Sequence, residues 1–125
     1  MENKSTVFIL DDDPSVRKAL KRFVTSAGYA VETYASAQEF LSAVPLFARG
    51  CLILDIRMPG LNGLGLQAQM AVLNYKLPII FITAFDNPQE KKQAMDAGAS
   101  AFLRKPLNDK ELLEAIKSAC GLAVP

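Results

Sequence analysis

Three acidic side chains follow two apolar segments that have the composition of buried strands. Asp55 comes directly after the segment Cys-Leu-Ile-Leu, and Asp11 and Asp12 come directly after Val-Phe-Ile-Leu. A buried strand that ends on an acid places that acid at the edge of a sheet, partly in the core and partly in solvent. Lys105 follows another short apolar segment. The pattern predicts a cation site beside a carboxylate that can be modified.

The chemistry open to such a cluster depends on how its charge is neutralised. Neighbouring carboxylates raise one another's pKa unless a cation lies between them. Oxygen ligands without imidazole or thiolate favour Mg²⁺, with Mn²⁺ or Ca²⁺ as substitutes, over zinc or copper. A carboxylate can also attack phosphorus and form an acyl phosphate. The Lys105 ammonium, the Thr83 hydroxyl and the metal ion could then share the charge of the transferred group.

Each of these residues also has a purely structural interpretation. Asp11 and Asp12 could cap the helix that follows them, and Asp55 could be a turn residue. Thr83 could be a strand-end hydroxyl, and Lys105 could be a solvated lysine. Two adjacent acids after a buried strand would be electrostatically unfavourable without a cation, however, which favours the metal site over capping.

The composition indicates one folded domain. The chain has 125 residues, with 14 Lys plus Arg, 13 Asp plus Glu and no His. This balance gives no reason to expect direct binding of nucleic acid or a membrane surface. The longest apolar stretch, 77–85, is too short to span a bilayer, and the N-terminus has no signal pattern. We predict a single cytoplasmic domain over 1–125, with its core over about 6–119 and a tail or linker start at 121–125.

The chain has two cysteines, Cys51 in a predicted buried strand and Cys120 near the C-terminus. Two cysteines make a poor disulfide framework and an incomplete metal site. We interpret both as reduced structural residues of a cytoplasmic protein.

Segments with the strand period alternate with segments of the helical period along the chain. Strands are predicted at 7–10, 29–34, 50–54, 79–82 and 101–103. Helices are predicted at about 14–27, 37–44, 63–73, 88–97 and 109–120, with Asp13, Ser36 and Asn108 as N-caps. The apolar face of the fourth helix, formed by Ala94 and Met95, is thin. The third helix is expected to bury Leu64, Ala68, Ala71 and Val72.

Five strands that alternate with five helices through short connections indicate an α/β fold with a parallel sheet covered on both faces. Right-handed crossovers favour a flavodoxin-like (βα)5 doubly wound sheet with strand order 2-1-3-4-5. Ligands of such sheets bind beyond the carboxyl ends of the strands, at the switch point between the first and third strands. That edge would carry Asp11, Asp12, Asp55, Thr83 and Lys105.

Four segments resemble the signature segments of bacterial two-component response-regulator receiver domains. They are Phe8–Asp13, Leu54–Gly60, Ile82–Ala84 and Lys105–Pro106. The resemblance extends from about residue 6 to residue 119. It implies a domain that accepts a phosphoryl group on Asp55 from the phosphohistidine of a sensor histidine kinase. Such a domain is a signalling phospho-acceptor and not an enzyme, with self-catalysed phosphoryl transfer and slow autodephosphorylation.

The resemblance also implies a role for each residue of the site. Asp12 would bind magnesium directly and Asp11 would bind it mostly through water. Asp55 would be a further ligand, and the Arg57 backbone carbonyl would complete the protein ligands. This leaves the Arg57 side chain free for solvent or a partner. Thr83 and Lys105 would hold the phosphoryl oxygens.

A switching role follows from the same resemblance. Phe102 would match the aromatic switch position, although simple packing in the core is an equal alternative. The phosphoryl group would draw Thr83 toward it, and Phe102 could rotate into the vacated space. This would change the face made by the fourth helix, fifth strand and fifth helix, leading to a homodimer or to release of an output domain. The Lys105–Pro106 peptide is expected to be cis, a form that only proline makes accessible at low cost.

Segments 16–20 and 34–41 are similar to receivers of the nodulation and nitrogen-fixation regulator subgroup, which precede a helix-turn-helix DNA-binding domain. That C-terminal output domain is absent from this chain, and the predicted output is transcription. A stand-alone receiver, or a phosphate-independent receiver-like interaction module, is the alternative.

Two residues depart from the pattern of the family. Phe85 lies two residues after Thr83, at a position that often influences dephosphorylation, and its ring would restrict the attacking water. We therefore predict a long-lived phosphoryl state. Gly65 lies where an acid is common. Glycine there costs about 1 kcal/mol relative to alanine, and the sequence offers no functional account of it.

Three other classes of protein fit the sequence less well. A haloacid-dehalogenase-type phosphatase needs a second acid two residues after its nucleophile, where this chain has Arg57. A flavodoxin needs a phosphate-binding loop after its first strand, where three acids would repel the flavin phosphate. A P-loop nucleotidase needs a Gly-rich lysine motif that this chain lacks.

Overall fold

The computed structural model describes residues 5–60 and 62–120, over which five strands and five helices alternate as predicted. The strands are β1 (Thr6–Leu10), β2 (Ala30–Tyr34), β3 (Gly50–Asp55), β4 (Ile79–Thr83) and β5 (Ala101–Arg104). The helices are α1 (Pro14–Ser26), α2 (Ala37–Ala43), α3 (Gly63–Val72), α4 (Pro88–Asp96) and α5 (Asp109–Cys120). Within the described ranges, no helix has both the length and the apolarity to cross a bilayer. The predicted tail or linker at 121–125 lies outside them.

The strands form one parallel sheet in the order β2-β1-β3-β4-β5. This confirms the flavodoxin-like doubly wound fold. Leu10 of β1 pairs with Leu54 of β3, so the residues that follow them, Asp11 and Asp55, lie side by side at the switch point.

The core consists of two apolar clusters, one on each face of the sheet. Val7 and Ile9 of β1 belong to one cluster, and Phe8 and Leu10 belong to the other. The first cluster packs against α1 and α5, and the second packs against α2, α3 and α4. Strands buried on both faces explain why the sequence shows unbroken apolar runs.

The predicted caps hold the helices at the sheet edges. The Asp13 carboxylate accepts a hydrogen bond from the Ser15 N–H at 2.8 Å, and the Ser36 hydroxyl accepts one from the Glu39 N–H at 3.1 Å. Asn108 accepts one from the Glu111 N–H at 3.0 Å. Asp13, the last acid of the segment after β1, therefore caps α1.

The buried face of α3 differs from the predicted one. The apolar pattern predicted a face formed by Leu64, Ala68, Ala71 and Val72. Leu64 is partly buried against the core, but Ala68, Ala71 and Val72 are exposed, and Leu66 and Met70 are buried instead. Almost every residue of this helix is apolar or small, so the apolar pattern does not indicate which face of the helix is buried. Asn62 caps the helix and accepts a hydrogen bond from the Gly65 N–H at 3.0 Å. This cap sets where the helix begins and therefore which residues face the core.

The fourth helix is thinly packed, as predicted. Ala94 is its one buried residue, and Met95 is 40% exposed. The buried Gln67 side chain donates a hydrogen bond to the Ala94 carbonyl at 3.0 Å and ties α4 to α3. A helix with so little buried apolar surface can move at low cost.

Candidate functional site

The carboxyl ends of four neighbouring strands bring the predicted site residues to one edge of the sheet. Asp11 and Asp12 follow β1, and Asp55 is the last residue of β3. Thr83 ends β4, and Lys105 follows β5. Their convergence results from parallel strands that end at the same edge, as the sequence predicts.

The three carboxylates form a cluster that could hold a metal ion. Asp11, Asp12 and Asp55 each offer an oxygen within 4.8 Å of the oxygens offered by the other two. Asp11 is fully buried, Asp55 is 5% exposed and Asp12 is exposed, so the cluster opens toward solvent on one side. An all-oxygen donor set with an open side suits a divalent cation that keeps part of its water, as Mg²⁺ does.

Lys105 lies between two of these carboxylates. Its Nζ donates a hydrogen bond to Asp11 Oδ2 at 3.1 Å and lies 3.6 Å from Asp55 Oδ2. The other oxygen of Asp11 accepts a hydrogen bond from the Asp13 N–H at 2.9 Å. Both oxygens of Asp11 are therefore engaged by the protein, whereas Asp12 faces solvent.

The surroundings of Asp55 disfavour its charge when no metal ion is bound. Burial raises the pKa of Asp55 above its ordinary value, and the neighbouring charges of Asp11 and Asp12 raise it further. The Lys105 ammonium and the Arg57 N–H, which donates to Asp55 Oδ1 at 3.2 Å, oppose this shift of the pKa. A cation in the cluster would lower the pKa of Asp55, as Lys105 does, and would favour the ionised carboxylate.

The backbone around Asp55 is held by a close approach of α3. The Gly63 N–H donates to the Ile56 carbonyl at 2.8 Å. A Cβ added at Gly63 would lie only 2.8 Å from the Asp55 carbonyl oxygen and 3.1 Å from the Phe81 ring. Glycine at this position therefore lets the helix lie against the end of β3 and fixes the backbone of Asp55.

Thr83 and Phe102 lie on the side of the site formed by β4 and β5. Thr83 is fully buried, and its Oγ1 accepts a hydrogen bond from the Phe85 N–H at 3.1 Å. Phe102 is partly buried, and its ring centroid lies 6.1 Å from that of Phe81. The peptide between Lys105 and Pro106 is cis, which confirms that prediction.

The Arg57 side chain is not free, which corrects the sequence-based prediction. Its Nη2 lies 3.0 Å from Glu90 Oε1, and its guanidinium lies 4.7 Å from the centre of the Phe85 ring. The ion pair is partly exposed, so the cation–π contact and the pair are each worth little alone. Together they join the loop after β3 to the start of α4. No local pattern could reveal this, because Arg57 and Glu90 are 33 residues apart.

A cavity of about 670 Å³ that the sequence did not predict opens beside Asp12. Its walls include Ser36 and Leu41 from the α2 region and Met58 and Pro59 from the loop after β3. The cavity therefore gives access to the exposed side of the acidic cluster.

Comparison with known proteins agrees with the geometry. Residues 7–117 match the family of response regulator receiver domains. The chain is 44% identical over 122 residues to the response regulator protein TodT of Pseudomonas putida, which covers 98% of this chain and 54% of TodT. It is 42% identical over 116 residues to nodulation protein W of Bradyrhizobium diazoefficiens, covering 93% of this chain and 51% of that protein.

A solved structure gives the same result for the fold. The crystal structure of FixJ-N superposes with a TM-score of 0.88 at 37% identity, covering 100% of this chain and 99% of that chain. By contrast, the chain spans about half the length of the two full-length relatives.

Proposed function

Because this chain belongs to the response regulator receiver domain family, we propose that it accepts a phosphoryl group on Asp55 from the phosphohistidine of a sensor histidine kinase. The observation that carries the proposal is the cluster of Asp11, Asp12 and Asp55 oxygens within 4.8 Å of one another, with the Lys105 ammonium against two of them. The resemblance to nodulation and nitrogen-fixation regulators is confirmed by the similarity to nodulation protein W. The role is signalling rather than enzymatic turnover.

The acidic cluster would hold Mg²⁺, for which Mn²⁺ or Ca²⁺ can substitute. Asp12 is the exposed acid and would bind the ion directly, whereas both oxygens of Asp11 already accept hydrogen bonds, which suits a contact through water. The Arg57 carbonyl would complete the protein ligands. Bound Mg²⁺ would offset the negative charge of the incoming phosphoryl group.

The chain's own residues would then complete the transfer. A side-chain oxygen of Asp55 forms the new bond to phosphorus, the bond to the donor nitrogen breaks, and its electron pair stays on the donor imidazole. Lys105 Nζ lies 3.6 Å from Asp55 Oδ2, close enough to contact the oxygens of a phosphoryl group on Asp55. The Thr83 hydroxyl accepts from the Phe85 N–H and still has its own proton to donate.

The phosphoryl group would bias a movable part of the fold. It adds nearly two negative charges and strong acceptor oxygens. If Thr83 turns toward it, Phe102 can rotate from its position beside Phe81 into the vacated space. The thin packing of α4 allows the surface formed by α4, β5 and α5 to rearrange. That surface would control a dimer or a C-terminal output domain. Transcription is the output we propose, because some relatives of this chain are transcriptional regulatory proteins.

The test is to incubate the chain with acetyl phosphate and magnesium and to measure its intact mass. We expect one phosphoryl group, released by hydroxylamine as expected for an acyl phosphate, and peptide mapping should place it on the segment containing Asp55. No mass increase, or a phosphoryl group on another residue, would refute the proposal and leave a phosphate-independent interaction module as the better description.

Replacing Phe85 with alanine is expected to shorten the lifetime of the phosphorylated form severalfold. The ring, 53% exposed, lies two residues after Thr83 and under the Arg57 guanidinium. In that position it would restrict the approach of water to the phosphoryl group. The lifetime is measured by loss of the phosphorylated mass after the donor is removed. Phe47→Ala, at a ring that is 83% exposed in the loop before β3, is the matched control. A wild-type half-life of seconds that is unchanged in Phe85→Ala would contradict this account.

A further inference from the structure

The two cysteines meet at the edge of the sheet opposite to the acidic cluster. Cys51 is the second residue of β3, Cys120 is the last residue of α5, and both are free thiols. Their sulfur atoms lie 3.7 Å apart, although 69 residues separate them in the chain. Their contact could not be predicted from the sequence, because the packing of α5 against β3 is not visible in any local pattern.

The two thiols differ in access to solvent. Cys51 is fully buried, whereas Cys120 is half-buried and lines a cavity of about 500 Å³ whose walls include the cations Arg49 and Lys76. A small oxidant can therefore reach Cys120 from the cavity, whereas burial shields Cys51 from solvent.

The contact between the sulfurs also shifts the pKa values of the two thiols in opposite directions. The Cys51 thiol can donate a hydrogen bond to the ionised Cys120 sulfur, which lowers the pKa of Cys120 against the opposing effect of burial. The same hydrogen bond and the burial of Cys51 raise the pKa of Cys51 above its ordinary value. Because Cys120 is also the thiol that borders the cavity, it is the one that reacts first, and Cys51 is the thiol that resolves the product.

We propose that Cys51 and Cys120 are a modification site that a two-electron oxidant such as hydrogen peroxide converts to a reversible intramolecular disulfide. The Cys120 thiolate attacks one peroxide oxygen, the O–O bond breaks, and hydroxide leaves and is protonated to water. The resulting sulfenic acid is then attacked by Cys51, its S–O bond breaks, and a second water leaves. Two thiols and one peroxide thus give one disulfide and two waters.

The fold can accommodate this bond. A disulfide has an S–S length of about 2.0 Å, so the sulfurs must approach from their present 3.7 Å. This approach needs only a small adjustment of the two side chains and of the described end of α5. The bond would join the end of α5 to the central strand β3 and would restrict that end of the helix.

The experiment treats the reduced chain with increasing hydrogen peroxide, quenches with N-ethylmaleimide under denaturing conditions and measures intact mass. We expect both thiols to disappear together, with loss of two hydrogens, no maleimide addition and no dimer on a non-reducing gel. Dithiothreitol should restore both thiols. The oxidised wild type should also unfold at a higher temperature than the reduced form, because the cross-link restricts the unfolded chain.

Cys120→Ser provides the matched control, because it removes the accessible thiol and leaves the buried Cys51 in place. In this variant Cys51 should stay reduced and the unfolding temperature should not respond to peroxide. A second variant, Cys51→Ala, should stop at a sulfenic acid on Cys120 that dimedone traps. Oxidation of wild-type Cys120 alone to sulfinic or sulfonic acid, a disulfide between two chains, or thiols that survive peroxide would each overturn the proposal. Because the pair lies away from Asp55, none of these outcomes depends on phosphorylation.

Discussion

Asp55→Asn is expected to abolish phosphoryl labelling and, in metal-free buffer, to raise the thermal unfolding midpoint by a few degrees. The first effect follows because the amide cannot act as the nucleophile. The second follows because the ionised Asp55 is buried beside Asp11, so the wild type has an unfavourable charge that the variant lacks. The Arg57 N–H can still donate to the amide oxygen, which preserves the local backbone.

The same variant should reveal the pKa of Asp55 through the pH dependence of stability. Burial, followed by the charge of Asp11, raises the folded-state pKa of Asp55 above its ordinary value of 3.8. A carboxyl with a raised folded-state pKa contributes stability below its unfolded pKa, and that contribution is lost as pH rises through the folded pKa. The midpoints of wild type and Asp55→Asn should therefore coincide at low pH and separate as pH rises above about 4.

Magnesium should reverse the order of stability near neutral pH. Binding to the folded wild type stabilises it by about 2.7 kcal/mol at a concentration 100-fold above the dissociation constant. Asp55→Asn should gain much less, because it lacks one carboxylate of the cluster. The exposed Asp96→Asn is the matched control and should behave as wild type in labelling and in its response to magnesium. Equal magnesium stabilisation of wild type and Asp55→Asn would count against the metal site.

The placement of the site could be predicted from the sequence because it depends on local patterns. Each apolar run marks a strand, and each strand ends at the polar residue that follows it. Once the strands are parallel, their carboxyl ends share one edge, so Asp11, Asp55 and Lys105 must converge. The prediction required only the period of the segments and the usual handedness of their connections.

Two of the features that sequence reasoning missed depend on contacts between distant segments. Arg57 pairs with Glu90 and Cys51 meets Cys120 only because helices pack on the folded sheet. The buried face of α3 was missed for another reason. Its residues are apolar or small on nearly every side, so the orientation of Leu66 is decided by the Asn62 cap and by the close approach of the helix start to β3.

Lys105→Met is expected to lower the initial rate of phosphoryl labelling on the order of 10²-fold, the usual cost of losing one charged donor to a transition state. Lys105 Nζ contacts both Asp11 and Asp55. Under the proposed function it would stabilise the ionised Asp55 and then donate hydrogen bonds to the phosphoryl oxygens. Lys105→Arg should recover part of the rate, because the charge remains while the wider guanidinium fits the position less well.

Magnesium binding should separate this role of Lys105 from a merely structural one. Without the ammonium, Asp11 and Asp55 repel each other more strongly, so Lys105→Met should bind magnesium at least as tightly as wild type while it labels far more slowly. Titration calorimetry measures the affinity, and intact mass measures the rate. Lys92→Met, at a side chain that is 77% exposed, should change neither. Slow labelling together with weakened magnesium binding would indicate a damaged site, and wild-type labelling would show that the ammonium does not assist the transfer.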